Sequence, residues 1–386
     1  MVSKKLDAGK MKLLAVASAP VKAIISGEHG VVHGTPGITL TFEPANKVEL
    51  YEGEGRPSLQ IESERGKIVL DAEGKLVGGT GSDESIFAPF IALVRKMMQW
   101  LGFRPGKKLV AKIKSARAPK GMGNSASIAA ALASVLLHSM HRTPFHSSKH
   151  PLLEHDLLFI LVQAAEEVAH GGRPSGIDAM SVSHGPTKLE RVAREGKVSW
   201  KFGPRHGISA PADTKFLLVD THLGEGERAK TGEMVKLFAS KSGLLKHTGE
   251  VKNLLELTAE DKKKLGDFLK VFEEIVVELH PEGDARKLGA ALKKNHLLLS
   301  KFGVSTKEID EVVKIAEENG AFGAKLTGAG GKGGAVIILA PENDLKLRRA
   351  LQQAGYKIFE ARAVSRGTVL ERKQMPEFPH ARQLKA

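Results

Sequence analysis

The 386-residue chain contains no cysteine. That excludes disulfides, thiolate nucleophiles and zinc–thiolate sites, and it fits a reducing compartment. Large aromatics are scarce: two Trp and two Tyr leave few platforms on which nucleic-acid bases could stack. No apolar run reaches the roughly 18 residues that a membrane-spanning helix needs. Residues Met1 to Lys12 are basic and polar, without the apolar centre of a secretion signal. A cytoplasmic protein that binds neither membrane nor nucleic acid is the expectation.

Positive charge, by contrast, is plentiful. Fifty-eight Lys and Arg against 44 Asp and Glu give a net charge of +14. Such a surface can attract nucleic acid or small anions, or simply be solvated. No Lys/Arg run is interleaved with aromatics, which argues against nucleic acid. The composition, 41% hydrophobic and 26% charged, is that of an ordinary globular protein. Its length exceeds what one core usually organises, so two domains are expected.

The first part of the chain reads as short strands: Leu13–Ala17, Lys22–Ile25, Ile38–Glu43, Val48–Tyr51, Leu59–Glu62 and Ile68–Leu70. The period then changes. Ile86, Phe90, Leu93, Met97 and Leu101 recur at helical spacing, with Ser82 as N-cap and Gly102 as stop. A strand at Leu109–Ile113, an Ala-rich helix to about Leu137 and a helix from about Asp156 to Ala169 follow. The second half opens with a strand at Phe216–Asp220. It then shows three helical patterns, around Leu265–Val276, Leu288–Leu299 and Ile309–Ala316, and strands at Ala335–Leu339 and Tyr356–Ala361. Strands and helices in both halves predict two α+β domains, 1–210 and 211–372, joined near 205–230, with a flexible tail over 373–386. No repeat of fixed period is found.

Three segments have the composition of ligand-binding loops. Lys120-Gly121-Met122-Gly123-Asn124-Ser125-Ala126 lies between a predicted strand and a predicted helix. Glycines there let the backbone approach a ligand, and the unpaired N–H groups at the start of the helix suit an anion. Ser125 could reach a divalent cation. A plain glycine turn with Asn124 or Ser125 as helix cap is the competing reading. The second segment, Lys325 to Gly334, is glycine-dense and runs straight into an apolar strand, which disfavours a flexible linker. In the third, a helix-end carboxylate (Glu166 or Glu167) is followed by Ser175-Gly176-Ile177-Asp178. This suits a metal ligand with a general base, though a helix end and turn would look the same. Near the N-terminus, Lys22, Glu28 and His29 surround a strand and the turn after it.

Order and spacing add more than any single segment. Across nearly its whole length the sequence resembles the GHMP kinases, which phosphorylate small molecules such as galactose, homoserine, mevalonate and phosphomevalonate. The first motif, Lys22-Ala23-Ile24-Ile25-Ser26-Gly27-Glu28-His29-Gly30-Val31-Val32-His33-Gly34, is similar to the version in mevalonate kinases. So are Pro174-Ser175-Gly176-Ile177-Asp178, Lys325-Leu326-Thr327-Gly328-Ala329-Gly330-Gly331 and the position of Thr231.

The resemblance implies an α+β GHMP kinase fold. Its N-terminal domain would be like the second domain of ribosomal protein S5, its C-terminal domain ferredoxin-like, with the site between. It implies ATP as co-substrate, Mg²⁺ as metal and mevalonate as acceptor, and it leaves a homodimer open. Asp178 would act as base or orienting carboxylate, with Lys22 stabilising charge on the transferring group. Ser125 and Glu166 would hold the metal. Lys120 to Ala126 with Gly328, Gly330 and Gly331 would bind ATP. Glu28, His29 and Thr231 would serve the acceptor.

Four positions depart from the family pattern. Asn124 replaces the first of two serines, Lys120 fills a normally small position, Lys332 replaces a glycine, and the stretch from His170 to Pro174 is one residue longer. The last point makes the metal carboxylate ambiguous; placing the extra residue in the loop selects Glu166 over Glu167. Lys120, Lys332 and Arg173 could ring the phosphates with additional cations, or simply point to solvent.

Overall fold

The computed structural model describes residues 11–81, 84–140, 151–172, 174–203, 207–212, 214–222 and 227–373. Its first strands are longer than the sequence predicts. β1 (Lys12–Ser26) and β2 (Gly37–Gly53) each merge two predicted strands into one. Pro20 and Pro44 caused the split reading. The antiparallel ladder of β1 with β2 shifts register between Ala19 and Val21, and the bulge there accommodates both prolines.

After β3 (Ser58–Ser63), β4 (Gly66–Asp71) and β5 (Leu76–Gly81) come α1 (Ala88–Leu101), β6 (Lys108–Lys114), α2 (Asn124–Ser139), α3 (Pro151–Ala169) and α4 (Ile177–His184). The hairpin β7 (Thr187–Arg194) and β8 (Lys197–Phe202) closes this half. The strands run in the order β2-β6-β3-β4-β5, with β1 and β7 also paired to β2. Leu50, Leu59, Ile61 and Ile68 of the sheet share one core with Leu93 and Met97 of α1, Leu132 and Leu136 of α2, and Leu161 and Val162 of α3. Ser82, the predicted cap of α1, lies outside the described residues, as do Arg173 and positions 374–386 of the predicted tail.

The second half comprises β9 (Thr214–Asp220), α5 (Thr231–Lys241), α6 (Ala259–Lys264), α7 (Gly266–Val276), α8 (Ala285–Lys301) and α9 (Lys307–Glu318). These are followed by β10 (Gly323–Thr327), β11 (Ala335–Pro341), α10 (Leu345–Gln353), β12 (Lys357–Val364) and β13 (Val369–Lys373). Its four sheet strands are antiparallel in the order β12-β9-β11-β10, the four-one-three-two arrangement of a ferredoxin-like sheet. β12 belongs to both halves: residues 357–361 pair with β9 and residues 362–364 with β2. β13 returns to pair with β1. A separate core joins the halves, with Val21, Ala23 and Ile25 of β1 and Leu40 and Phe42 of β2 meeting Phe216, Leu218, Leu288, Leu292 and Ile337.

Helix α8 lies so close to β10 that a Cβ on Gly289 would stand 2.0 Å from the Phe322 carbonyl oxygen. Gly→Ala in a helix ordinarily stabilises by about 1 kcal/mol. Here the sign reverses: Gly289→Ala is expected to destabilise by about 1–3 kcal/mol through overpacking, read as a lower urea midpoint at unchanged slope.

Candidate active site

The end of β1 is the surface on which the site is built. Lys22 is 1% exposed, and its ammonium lies 2.9 Å from Asp178 Oδ1. The backbone N–H of Lys22 donates to the carbonyl of Met122 at 3.0 Å, tying the first glycine loop to the strand. Gly123, at φ +66°, is the N-cap of α2, and a Cβ there would come within 2.8 Å of Lys22 Cε. A side chain at 123 would therefore displace the lysine that the loop sets in place.

Asn46 fastens the same loop from the other side. It accepts from Ala116 N at 2.7 Å and donates to Ser127 Oγ at 3.0 Å and Asn124 Oδ1 at 3.3 Å. Asn124 in turn donates to the Pro119 carbonyl at 3.3 Å, so its amide braces the loop. Met122 and Ala126 are buried, and Ser125 Oγ is buried without a partner among the described residues. Lys120 and Lys332 are exposed.

Glu166 and Asp178 approach from consecutive helices. Glu166, in the last turn of α3, is 1% exposed, whereas Glu167 faces solvent, so the inward carboxylate is Glu166. One of its oxygens is 2.9 Å from His170 Nε2, and the other is buried and unpaired among the described residues. That hydrogen bond holds the His170 imidazole above its ordinary value. Asp178 is the second residue of α4. The turn before it is held by Trp200 Nε1 donating to Ser175 O at 2.8 Å and Gln163 Nε2 donating to Pro174 O at 3.1 Å. Ligand atoms of Glu166, His170 and Asp178 all lie within 4.8 Å of one another.

From the second half, β10 locks onto the end of β1. The Lys325 ammonium, inaccessible to water, pairs with the equally buried Glu28 carboxylate and donates to Ile24 O at 3.2 Å and Leu326 O at 2.6 Å. Burial alone pushes the Glu28 carboxyl up and the Lys325 ammonium down; each is the other's chief compensation. Thr327 Oγ1 accepts from Ile24 N and donates to Ile24 O, both at 3.1 Å.

His29, at φ +58° and 6% exposed, places Nε2 3.0 Å from Ala329 O, so that nitrogen carries the proton. Its ring stacks on Phe238 at 5.3 Å, and His33 stacks on the same ring at 6.1 Å. Burial holds both imidazoles down to about 4 and hence neutral. Thr231 opens α5 and is half-buried; it shares a helix face with Met234 and Phe238. The two glycine loops touch, since a Cβ on Gly328 would lie 3.0 Å from Gly121 O.

The structure therefore brings Lys22, Gly121–Ser125, Glu166, Asp178 and Gly328 into one region, bordered by His29 and the α5 face that carries Thr231. Glu28 is beneath that region rather than open to it. Lys325, Thr327, His170, Asn46 and Trp200 were not singled out from the sequence. A lysine and a histidine at the edges of two loop motifs were the available signals for the first and third. A separate cleft of about 600 Å³ lies between Leu40, Phe216, Ala361 and Ala363. Its cations are engaged, Arg348 with Asp344, Arg362 with Glu43 and Lys215 with the Glu342 carbonyl.

Comparison with known proteins agrees with this architecture. Residues 275–357 match the model of the GHMP kinase C-terminal family. Over that segment the chain is similar to the GHMP kinases. Along most of its length it is similar to mevalonate kinases. It is 29% identical to the mevalonate kinase of Pyrococcus abyssi over 351 residues, 89% of this chain and 94% of that one. It is 28% identical to that of Aeropyrum pernix over 367 residues, 94% and 99% of the two chains. The crystal structure of Methanococcus jannaschii mevalonate kinase superposes with a TM-score of 0.65 at 23% identity, covering 93% of this chain and all of the other.

Two stability predictions follow from the site. Lys325→Met strands a buried carboxylate and is expected to cost about 3–5 kcal/mol, most of it restored by adding Glu28→Gln, as measured by chemical denaturation. The second concerns His29 and His33. The unfolded chain gains protons on these residues below pH 6.5, whereas the folded chain does so only near 4. Stability is therefore fully present above pH 6.5 and falls as the pH drops towards 4. His33→Phe should flatten that slope in denaturation curves taken between pH 7 and 4.5.

Proposed function

We propose that this chain transfers the γ-phosphoryl group of ATP to the primary hydroxyl of mevalonate, yielding 5-phosphomevalonate and ADP. The observation that carries the reading is the Lys22–Asp178 pair, 2.9 Å apart and packed against the N-terminus of α2. Kinship with mevalonate kinases over most of the chain supports the acceptor.

Phosphoryl transfer demands positioning and charge neutralisation more than covalent chemistry. In this reading Asp178 receives the hydroxyl's hydrogen bond and then its proton. Lys22 orients Asp178 and keeps a fixed positive charge beside the oxygens of the transferring group. The unpaired N–H groups at the start of α2 cradle the triphosphate, aided by the helix dipole. Gly328, Gly330 and Gly331 border the nucleotide from the second half, and His29 and Thr231 contact the acceptor.

Ser125 Oγ and the second oxygen of Glu166 are buried oxygen ligands without partners among the described residues, which fits a hard divalent cation. They would hold Mg²⁺, which when bound neutralises phosphate charge.

The test is ADP release from Mg·ATP with and without mevalonate, with Asp178→Asn alongside. Release should depend on mevalonate, and the variant should lose at least about 100-fold in kcat. Stimulation by phosphomevalonate or a sugar alone would replace the acceptor. ATP binding with no stimulation by any acceptor would replace catalysis with nucleotide sensing.

A further inference from the structure

His170 is attached twice to one residue. Its backbone N–H donates to the Glu166 carbonyl at 2.9 Å, and its ring Nε2 lies 2.9 Å from Glu166 Oε2. The helix ends at Ala169, and the chain turns away at Gly171, at φ +64°. The imidazole is thereby folded back over the last helical turn. A carboxylate oxygen can only accept, so Nε2 carries the proton and is not available as a lone-pair ligand. Oε2 is committed to the ring, while Oε1 is left buried and unpaired among the described residues.

We propose that His170 is a positioning residue for the divalent cation: by pinning Oε2 it fixes the plane of Glu166 and leaves Oε1 as its single ligating oxygen. This rests on the phosphotransfer reading above. Without the ring, a buried carboxylate 4.8 Å or less from the Asp178 carboxylate is free to rotate. It could then bind the ion through both oxygens or neither. Outer partners of this kind are worth about 10–100-fold in metal affinity.

The experiment compares His170→Phe, which keeps a ring but loses the donor, with His170→Gln, whose amide N–H has similar reach. His170 is 29% exposed, so neither change opens the core, and melting curves check that both variants fold. Mn²⁺ affinity is measured by electron paramagnetic resonance with a non-hydrolysable ATP analogue bound, and analogue affinity is measured in chelator without metal.

His170→Phe should weaken Mn²⁺ binding about 10–100-fold, leave metal-free analogue affinity unchanged and recover turnover in excess metal. His170→Gln should stay within about threefold of the parent. Parent-like Mn²⁺ affinity in His170→Phe overturns the proposal, as does an equal loss in His170→Gln, which would show that an N–H donor at this position is not what the site requires. A parent protein that binds the analogue but no Mn²⁺ overturns the metal-dependent reading and this proposal with it. Retained parent binding with unaffected variants overturns this proposal alone.

Discussion

A lysine ammonium with no access to water holds the two halves of this protein in register. Lys325 reaches from β10 to Glu28 and to the main chain of Ile24, and Thr327 and His29 add hydrogen bonds between the same two segments. Ion pairs buried this deeply contribute little net stability, because desolvation consumes most of the attraction. Their geometry is nonetheless demanding. A one-residue slip of β10 against the end of β1 would strand an ammonium, a carboxylate and two backbone groups in an apolar interior. The contact thus selects a single alignment of the second glycine segment over the strand that presents Lys22.

That alignment explains how a loosely patterned set of loops can form a rigid site. The first glycine loop hangs on Lys22 N and is braced by Asn46, and the second hangs on Ile24 and Glu28. Both are therefore referenced to one short stretch, from Lys22 to Glu28, at the end of β1 and in the turn after it. Charges are arranged on the same frame. Each buried cation has its own anion, Asp178 for Lys22 and Glu28 for Lys325, and the neutral His29 adds none. Electrostatic preorganisation of this kind needs no rearrangement as charge shifts during reaction.

Much of this was legible in the residues. The glycine loops stood out by composition, because close backbone approach favours glycine, whereas Lys22 and Asp178 stood out only through the order of motifs that the family resemblance supplied. The long helices were visible in their apolar period. What escaped has identifiable causes. β5 is glycine-rich and exposed, so it has neither β-propensity nor alternation to reveal it. The β7–β8 hairpin was readable in principle, since Glu195-Gly196, both with positive φ, forms the two-residue turn that joins alternating strands. β1 and β2 were cut at prolines that a bulge accommodates. Glu166 was chosen over Glu167 by placing the extra residue in the loop, and in the structure Glu166 faces inward while Glu167 faces solvent. The partnership of Lys325 with Glu28 spans nearly 300 positions, and nothing local betrays it. Asn124, a departure from the family pattern, is a brace for its loop, a role that depends on Asn46 in a distant strand.

β12 gives the molecule its mechanical character. Because one strand is hydrogen-bonded to β9 along its first part and to β2 along its last, the boundary between the halves is a ladder of backbone bonds, not a hinge. Bending across such a joint would have to break those bonds or twist the whole sheet. The mouth of the site therefore behaves like a fixed frame, and adaptation to a nucleotide or an acceptor is left to the segments outside the sheet. Size selection among acceptors becomes a matter of loop length and of the face of α5, on a chassis that relatives with other substrates could keep unchanged.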